Sequence, residues 1–152
     1  MATFRLATHV AAPLEQVFAL WTNLDRMREW IGGVTGVTDV SGPFDQAGTT
    51  YTTWFGKMSS RTTVVQAERP HLFHTRYRNR ILSGESLATF EADGHGGTRL
   101  TEEFRTEGLV AWVFARIFAT GSYKGSFRGE LNEFVRIAER EAVAPGVPAS
   151  GT

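Results

Sequence analysis

Cysteine is absent from the 152 residues, which excludes disulfides and thiolate chemistry. With no signal-peptide pattern either, the default expectation is a cytoplasmic protein. Net charge is also absent, because sixteen Lys and Arg balance sixteen Asp and Glu. No general electrostatic pull draws this chain to nucleic acid or to an acidic membrane surface, so a nucleic-acid partner is not expected. No long apolar span exists, and stable membrane insertion is therefore not expected. Internal repeats are lacking. The four histidines, His9, His71, His74 and His95, have no familiar metal-ligand spacing. They read as surface residues, and no metal or cofactor is expected.

What the chain does have is aromatic and glycine residues. Aromatics make up 12% of it, with eleven Phe and four Trp, and sixteen Gly punctuate short elements. A chain of this length forms one domain that buries about 70% of its unfolded surface. Thr3–Val10 alternates at the strand period, with His9 on the polar side. Pro13 then opens a short helix carrying Leu14, Val17, Phe18 and Trp21 at helical spacing. A second short helix begins near Asn23, carries Leu24, Met27, Trp30 and Ile31, and stops at Gly32-Gly33.

From Val34 the period is two. Six further strands are expected at Val34–Val40, Thr49–Phe55, Met58–Ala67, Leu72–Arg78, Gly84–Ala92 and Thr98–Thr106. Short turn sequences such as Gly56-Lys57 and Asp93-Gly94-His95-Gly96-Gly97 separate them, which implies antiparallel neighbours. The C-terminal segment Gly108–Glu141 is helical in pattern, with Phe127, Leu131, Phe134, Val135 and Ala138 forming one apolar stripe. Arg128, Glu130, Glu133, Arg136, Glu139 and Arg140 take the other faces.

One unbroken helix over that segment would run roughly 50 Å, longer than the diameter near 40 Å of a domain this size. A break is expected at Thr120-Gly121-Ser122. Residues 144–152, rich in Pro, Gly and Ser, read as a disordered tail after a single domain spanning 1–143. The resulting class is α+β, a curved seven-stranded antiparallel sheet packed on a long C-terminal helix, with two short helices after the first strand. Such a sheet leaves a space under the helix unless large side chains fill it.

The chain resembles the START/Bet v 1-like (SRPBCC) superfamily, including its polyketide cyclase/dehydrase and lipid-transport members, from about Thr3 to Arg140. The matching stretches are His9-Val10-Ala11-Ala12-Pro13 leading into Val17-Phe18, Trp30, Glu68-Arg69-Pro70-His71-Leu72-Phe73, and Gly96-Gly97-Thr98-Arg99-Leu100-Thr101. The resemblance implies a helix-grip fold and a hydrophobic cavity between sheet and C-terminal helix that holds a lipid, polyketide, sterol or similar small hydrophobic molecule. It fixes no catalytic residue.

Among polar residues Glu102 stands out. It lies between Leu100 and Phe104, so strand alternation turns it inward while Arg99, Thr101, Glu103 and Arg105 turn out. A buried carboxylate is costly unless paired or protonated. Glu102 is therefore either a general acid/base or ligand anchor, or a residue at the cavity mouth paired with an Arg or Lys. Tyr51 and Tyr77 could each present a phenol to the same space, and Lys124 either reaches water or holds an anionic head group. The expected lining is Trp30, Tyr51, Phe55, Phe73, Tyr77, Phe90, Glu102, Phe104, Val113, Ile117, Lys124 and Phe127.

Arg76, Arg78 and Arg80, with Arg61, read as a solvated outer face. The apolar run Trp112–Phe118 suggests either a cavity entrance or a homodimer contact. Three functions follow. They are a binding module for a small hydrophobic ligand, a cyclase/dehydratase using Glu102, and an interaction protein of the co-chaperone type.

Overall fold

The computed structural model describes residues 2–80, 83–107 and 122–150. Strand β1 (Ala2–Val10) is followed by helix α1 (Leu14–Thr22) and a 3-10 helix η1 (Leu24–Glu29). Then come β2 (Gly36–Thr38), β3 (Thr50–Phe55), β4 (Met58–Glu68), β5 (Leu72–Arg78), β6 (Ser83–Ala92), β7 (Thr98–Glu107) and the C-terminal helix α2 (Ser122–Ser150). The strands form one sheet in the order β1-β7-β6-β5-β4-β3-β2, with every neighbouring pair antiparallel. This is the α+β arrangement expected from the sequence.

Two elements differ from expectation. The second short helix is a 3-10 turn, closed by Trp30 N–H donating to the Met27 carbonyl. The strand expected at Val34–Val40 is only three residues long, because Asp39 adopts φ 56 and ends it, and β2 is an edge strand paired with β3 alone. Helix α2 runs on in its backbone over positions 144–150, which the sequence reads as tail. The expected break at Thr120–Ser122 and the apolar run Trp112–Phe118 fall on or before the start of α2, and positions 108–121 lie outside the described residues.

Register carries each inward residue across the sheet. Phe73, Ala88, Glu102 and Leu6 lie opposite one another in turn on β5, β6, β7 and β1. One step along, Val64, Thr75, Ser86, Phe104 and Phe4 form a second row. A third row holds Tyr51, Thr62, Tyr77, Gly84 and Thr106. The β3–β4 hairpin closes through Gly56 at φ 69, a conformation glycine adopts without strain.

The core fills the part of the inner face that lies under α1 and the middle of α2. Phe18 meets the edge of Phe90 at 5.3 Å and of Phe73 at 6.4 Å between centroids. From α2, Phe134 sits between Trp21 at 5.0 Å and Trp30 at 5.1 Å. Leu131, Ile137 and Ala138 are buried beside it. Ile137 belongs to the buried stripe although the sequence pattern leaves it out, and Val135 is only partly buried.

Polar side chains then fasten α2 to the rest of the fold. Arg128 donates to the Ala7 carbonyl at 3.0 Å, Ala11 N–H donates to Glu139 at 2.8 Å, and Arg26 forms a two-pronged ion pair with Glu141. The outer face is a charge mosaic. Glu85 joins His74 at 2.9 Å and Arg76 at 3.3 Å, and Glu103 joins Arg105 at 2.9 Å. The arginine stripe is exposed, with Arg76 matched by Glu85 on the neighbouring strand and Arg61 donating to the Thr50 and Thr52 hydroxyls.

Candidate functional site

The inner face of the sheet is chemically divided along the strands. Near the β1–α1 end it is apolar, with Leu6, Val10, Phe73, Phe90 and Leu100 buried under α1 and α2. Toward the end where β5 and β7 finish, it carries hydroxyls instead. Tyr51, Thr53, Ser60, Thr62, Thr75 and Thr106 are all buried there, and Tyr77 and Ser86 are partly so. β-branched threonines suit strands, so this part of the sheet forms readily from residues that also supply polar groups.

Glu102 stands at the border between the two regions. It is 8% exposed, faces inward as the alternation of β7 predicts, and is flanked across the sheet by Leu6 and Ala88. Among the described residues no Arg or Lys pairs with it, the side chain of Lys124 lying outside them. Its partner is Ser86, whose Oγ donates to Oε2 at 3.3 Å. Burial pushes the Glu102 carboxyl up to about 8, with the Ser86 hydrogen bond opposing this and the Glu130 carboxylate adding to it. At neutral pH Glu102 is therefore mostly a neutral acid, able to donate a proton or a hydrogen bond.

Glu130 is the residue that sequence reasoning missed. The helical pattern assigns it to a solvated face, yet it reaches back to the loop after η1, where Gly32 N–H donates to its Oε2 at 3.0 Å. Burial raises its carboxyl above the usual carboxylate range, and the Gly32 N–H opposes that shift. Glu130 on α2 is near enough for its charge to add to the upward shift of Glu102 on β7. Ser86 and Thr106 were also missed, although both fall on the inward phase of strands whose alternation was legible.

Tyr77 lies flat against the sheet because Gly84 has no side chain. A Cβ at Gly84 would stand 2.3 Å from the Arg105 carbonyl oxygen and 2.4 Å from the Tyr77 phenol oxygen. Burial pushes the Tyr77 phenol up to about 12 and raises Tyr51 further still, where a hydrogen bond with Thr62 opposes the shift. Substituting Gly84→Ala is expected to destabilise the fold by about 2 kcal/mol or more, since the backbone oxygen cannot yield. Urea unfolding of the variant checks this, and unchanged stability would show that β6 and β7 can part at this point.

The expected lining residues separate into groups. Tyr51, Tyr77, Glu102 and Phe104 lie on the inner face around the hydroxyl region. Trp30, Phe73 and Phe90 are packed within the aromatic core beside Phe18, Trp21 and Phe134. Phe55 sits at the β3–β4 hairpin and is 37% exposed, away from the others. Val113 and Ile117 lie outside the described residues, as do the side chains of Lys124 and Phe127.

A groove of about 280 Å³ opens near the ends of β5, β6 and β7, and the side chains at its outward strand positions include Arg76, Arg78, Glu85, Arg105 and Glu107. Tyr77 and Gly84 of the third row also line it, so the groove borders both the charged outer face and the hydroxyl-bearing end. Among the described residues no cluster of three His, Asp or Glu could hold a metal ion, and no helix is long and apolar enough to cross a membrane.

A family model described as polyketide cyclase / dehydrase and lipid transport matches residues 1–139. No protein with a curated description matches in sequence. Solved structures share the fold at low identity. One is a solution NMR structure from Thermobifida fusca, with a TM-score of 0.73 and 17% identity, covering 92% of this chain and 95% of that one. A second is a conserved protein from Geobacillus kaustophilus, with a TM-score of 0.72 and 13% identity over 91% and 96% of the two chains. A third is StfQ, a di-domain ARO/CYC from the steffimycin biosynthetic pathway, with a TM-score of 0.65 and 17% identity over 91% of this chain and 45% of that one.

Proposed function

Because the chain belongs to the polyketide cyclase / dehydrase and lipid transport family, we propose that it binds a small hydrophobic molecule between the inner face of its sheet and its C-terminal helix. The observation that carries this reading is Glu102, a buried carboxyl whose hydrogen-bond partner among the described residues is the Ser86 hydroxyl, at the border between apolar and hydroxyl-bearing parts of that face. A fold that needed only a filled core would place an aliphatic residue there, since burying an acid costs free energy without a compensating cation. A neutral acid in such a place can give its proton to a ligand carbonyl or hydroxyl, while the apolar wall takes the carbon skeleton.

Organic extraction of the purified protein followed by mass spectrometry is expected to recover a small apolar compound in stoichiometric amount. An empty extract, together with no binding from a panel of lipids and aromatic polyketides, would overturn the reading.

A second reading is favoured by Glu130. With Glu102 it supplies a second acid of raised pKa whose charge is felt at the first, a pair that could move protons during cyclisation or dehydration of a poly-β-keto chain. StfQ, a structural neighbour, is described as an ARO/CYC protein. On this reading Glu102→Gln lowers turnover far more than ligand affinity. Equal turnover in the variant would remove Glu102 from the chemistry.

A further inference from the structure

We propose that the hydroxyl-bearing end of the inner face selects an uncharged ligand carrying a carbonyl, with the Thr106 hydroxyl as a specificity-determining donor, and that it discriminates against carboxylates. The inference rests on the binding reading above and narrows its ligand class.

Two observations support it. First, no Lys, Arg or His occupies an inward position on any described strand. The inward residues of β7 are Thr98, Leu100, Glu102, Phe104 and Thr106, and those opposite them on β6 are Gly84, Ser86, Ala88 and Phe90. On α2, Arg128 is spent on the Ala7 carbonyl at the β1 edge and Arg136 on Glu133, whereas Glu130 adds an acid. An ionised head group entering here would lose its water, find no counter-charge at the inward strand positions or among the described side chains of α2, and meet acids instead.

Second, Thr106 Oγ1 is buried, with the residue 3% exposed, and has no hydrogen-bond partner among the described residues. Buried hydroxyls are normally satisfied, and an orphan is costly to keep. It belongs to the same row as Tyr77 and Tyr51, next to Gly84. A carbonyl oxygen reaching this row would satisfy Thr106 and create no new unpaired group. A site that hydrogen-bonds its ligand rejects the analogue lacking that group, because its own polar atom is then left unpaired.

The test uses three probes with one ring system: 2-acetylnaphthalene, 2-naphthoate and 2-ethylnaphthalene, titrated at pH 7 against the full chain and followed by amide NMR shifts. The ketone is expected to bind at least tenfold more tightly than the carboxylate. Thr106→Val keeps the shape and removes the orphan hydroxyl, so the variant should fold at least as stably. It should weaken the ketone about fivefold and leave the hydrocarbon unchanged. A carboxylate that binds as tightly as the ketone, or a ketone indifferent to Thr106→Val, overturns this inference while the binding reading stands. Binding of none of the three overturns this inference, and joined to an empty organic extract it removes the binding reading too.

Discussion

Replacing Phe134 by Ala is expected to cost about 3–5 kcal/mol of folding stability, the range for truncating a fully buried aromatic. Phe134 is the residue through which α2 meets the rest of the core. Its ring stands edge-on to Trp21 of α1 and to Trp30, the residue that caps η1, and none of its surface is exposed. A cavity left there separates three elements at once, and the polar fastenings of α2 are too exposed to compensate, since Arg26 and Glu141 keep about a third of their side-chain surface in water. Equilibrium urea unfolding measures the loss, and tryptophan fluorescence should report the changed surroundings of both indoles. A loss under 1 kcal/mol would mean that α2 is held by its polar contacts instead.

The second large effect is a gain. Glu102 in the unfolded chain titrates near 4.5, while in the folded protein burial raises it to about 8. The folded state therefore holds its proton more tightly, and the linked stability is fully present below pH 4.5 and is lost as pH rises through 8. At pH 7 the unfolded chain has released the proton and the folded protein has kept it, which lowers stability by about 3 kcal/mol relative to acid conditions.

Glu102→Gln removes this dependence and can still accept from Ser86. The variant should match the wild type near pH 4 and exceed it by about 3 kcal/mol at pH 7. Taking the difference between the two proteins cancels the other titrating groups to first order, including Glu130, whose shift has the same sign, and Asp93, which His9 and two backbone N–H groups hold down at about 2. Denaturant unfolding at several pH values checks this. A variant less stable than wild type at pH 7 would show that the carboxylate is paired.

Much of the scaffold was legible in the sequence because strand alternation is a local property. The inward turn of Glu102 followed from Leu100 and Phe104 on either side, and the limits of β5 matched those read from residues 72–78. What was not legible depends on distant parts of the chain. Glu130 looks like a solvated helix residue until the Gly32 loop, 98 positions earlier, packs against it. That Ser86 is a partner of Glu102 depends on the register of β6 against β7, which no local pattern reveals. The shortness of β2 comes from a single backbone conformation at Asp39, which no periodicity reveals. Thr106 could not be singled out, because a threonine on a strand is ordinary and only its missing partner makes it informative.

The acid kept neutral inside the fold is the feature on which the proposed ligand binding turns. Following the Glu102 side-chain carboxyl carbon by NMR through a pH titration tests it most directly. A midpoint near 8 is the predicted result, and a midpoint near 4.5, the ordinary value for a solvated glutamate, would contradict it.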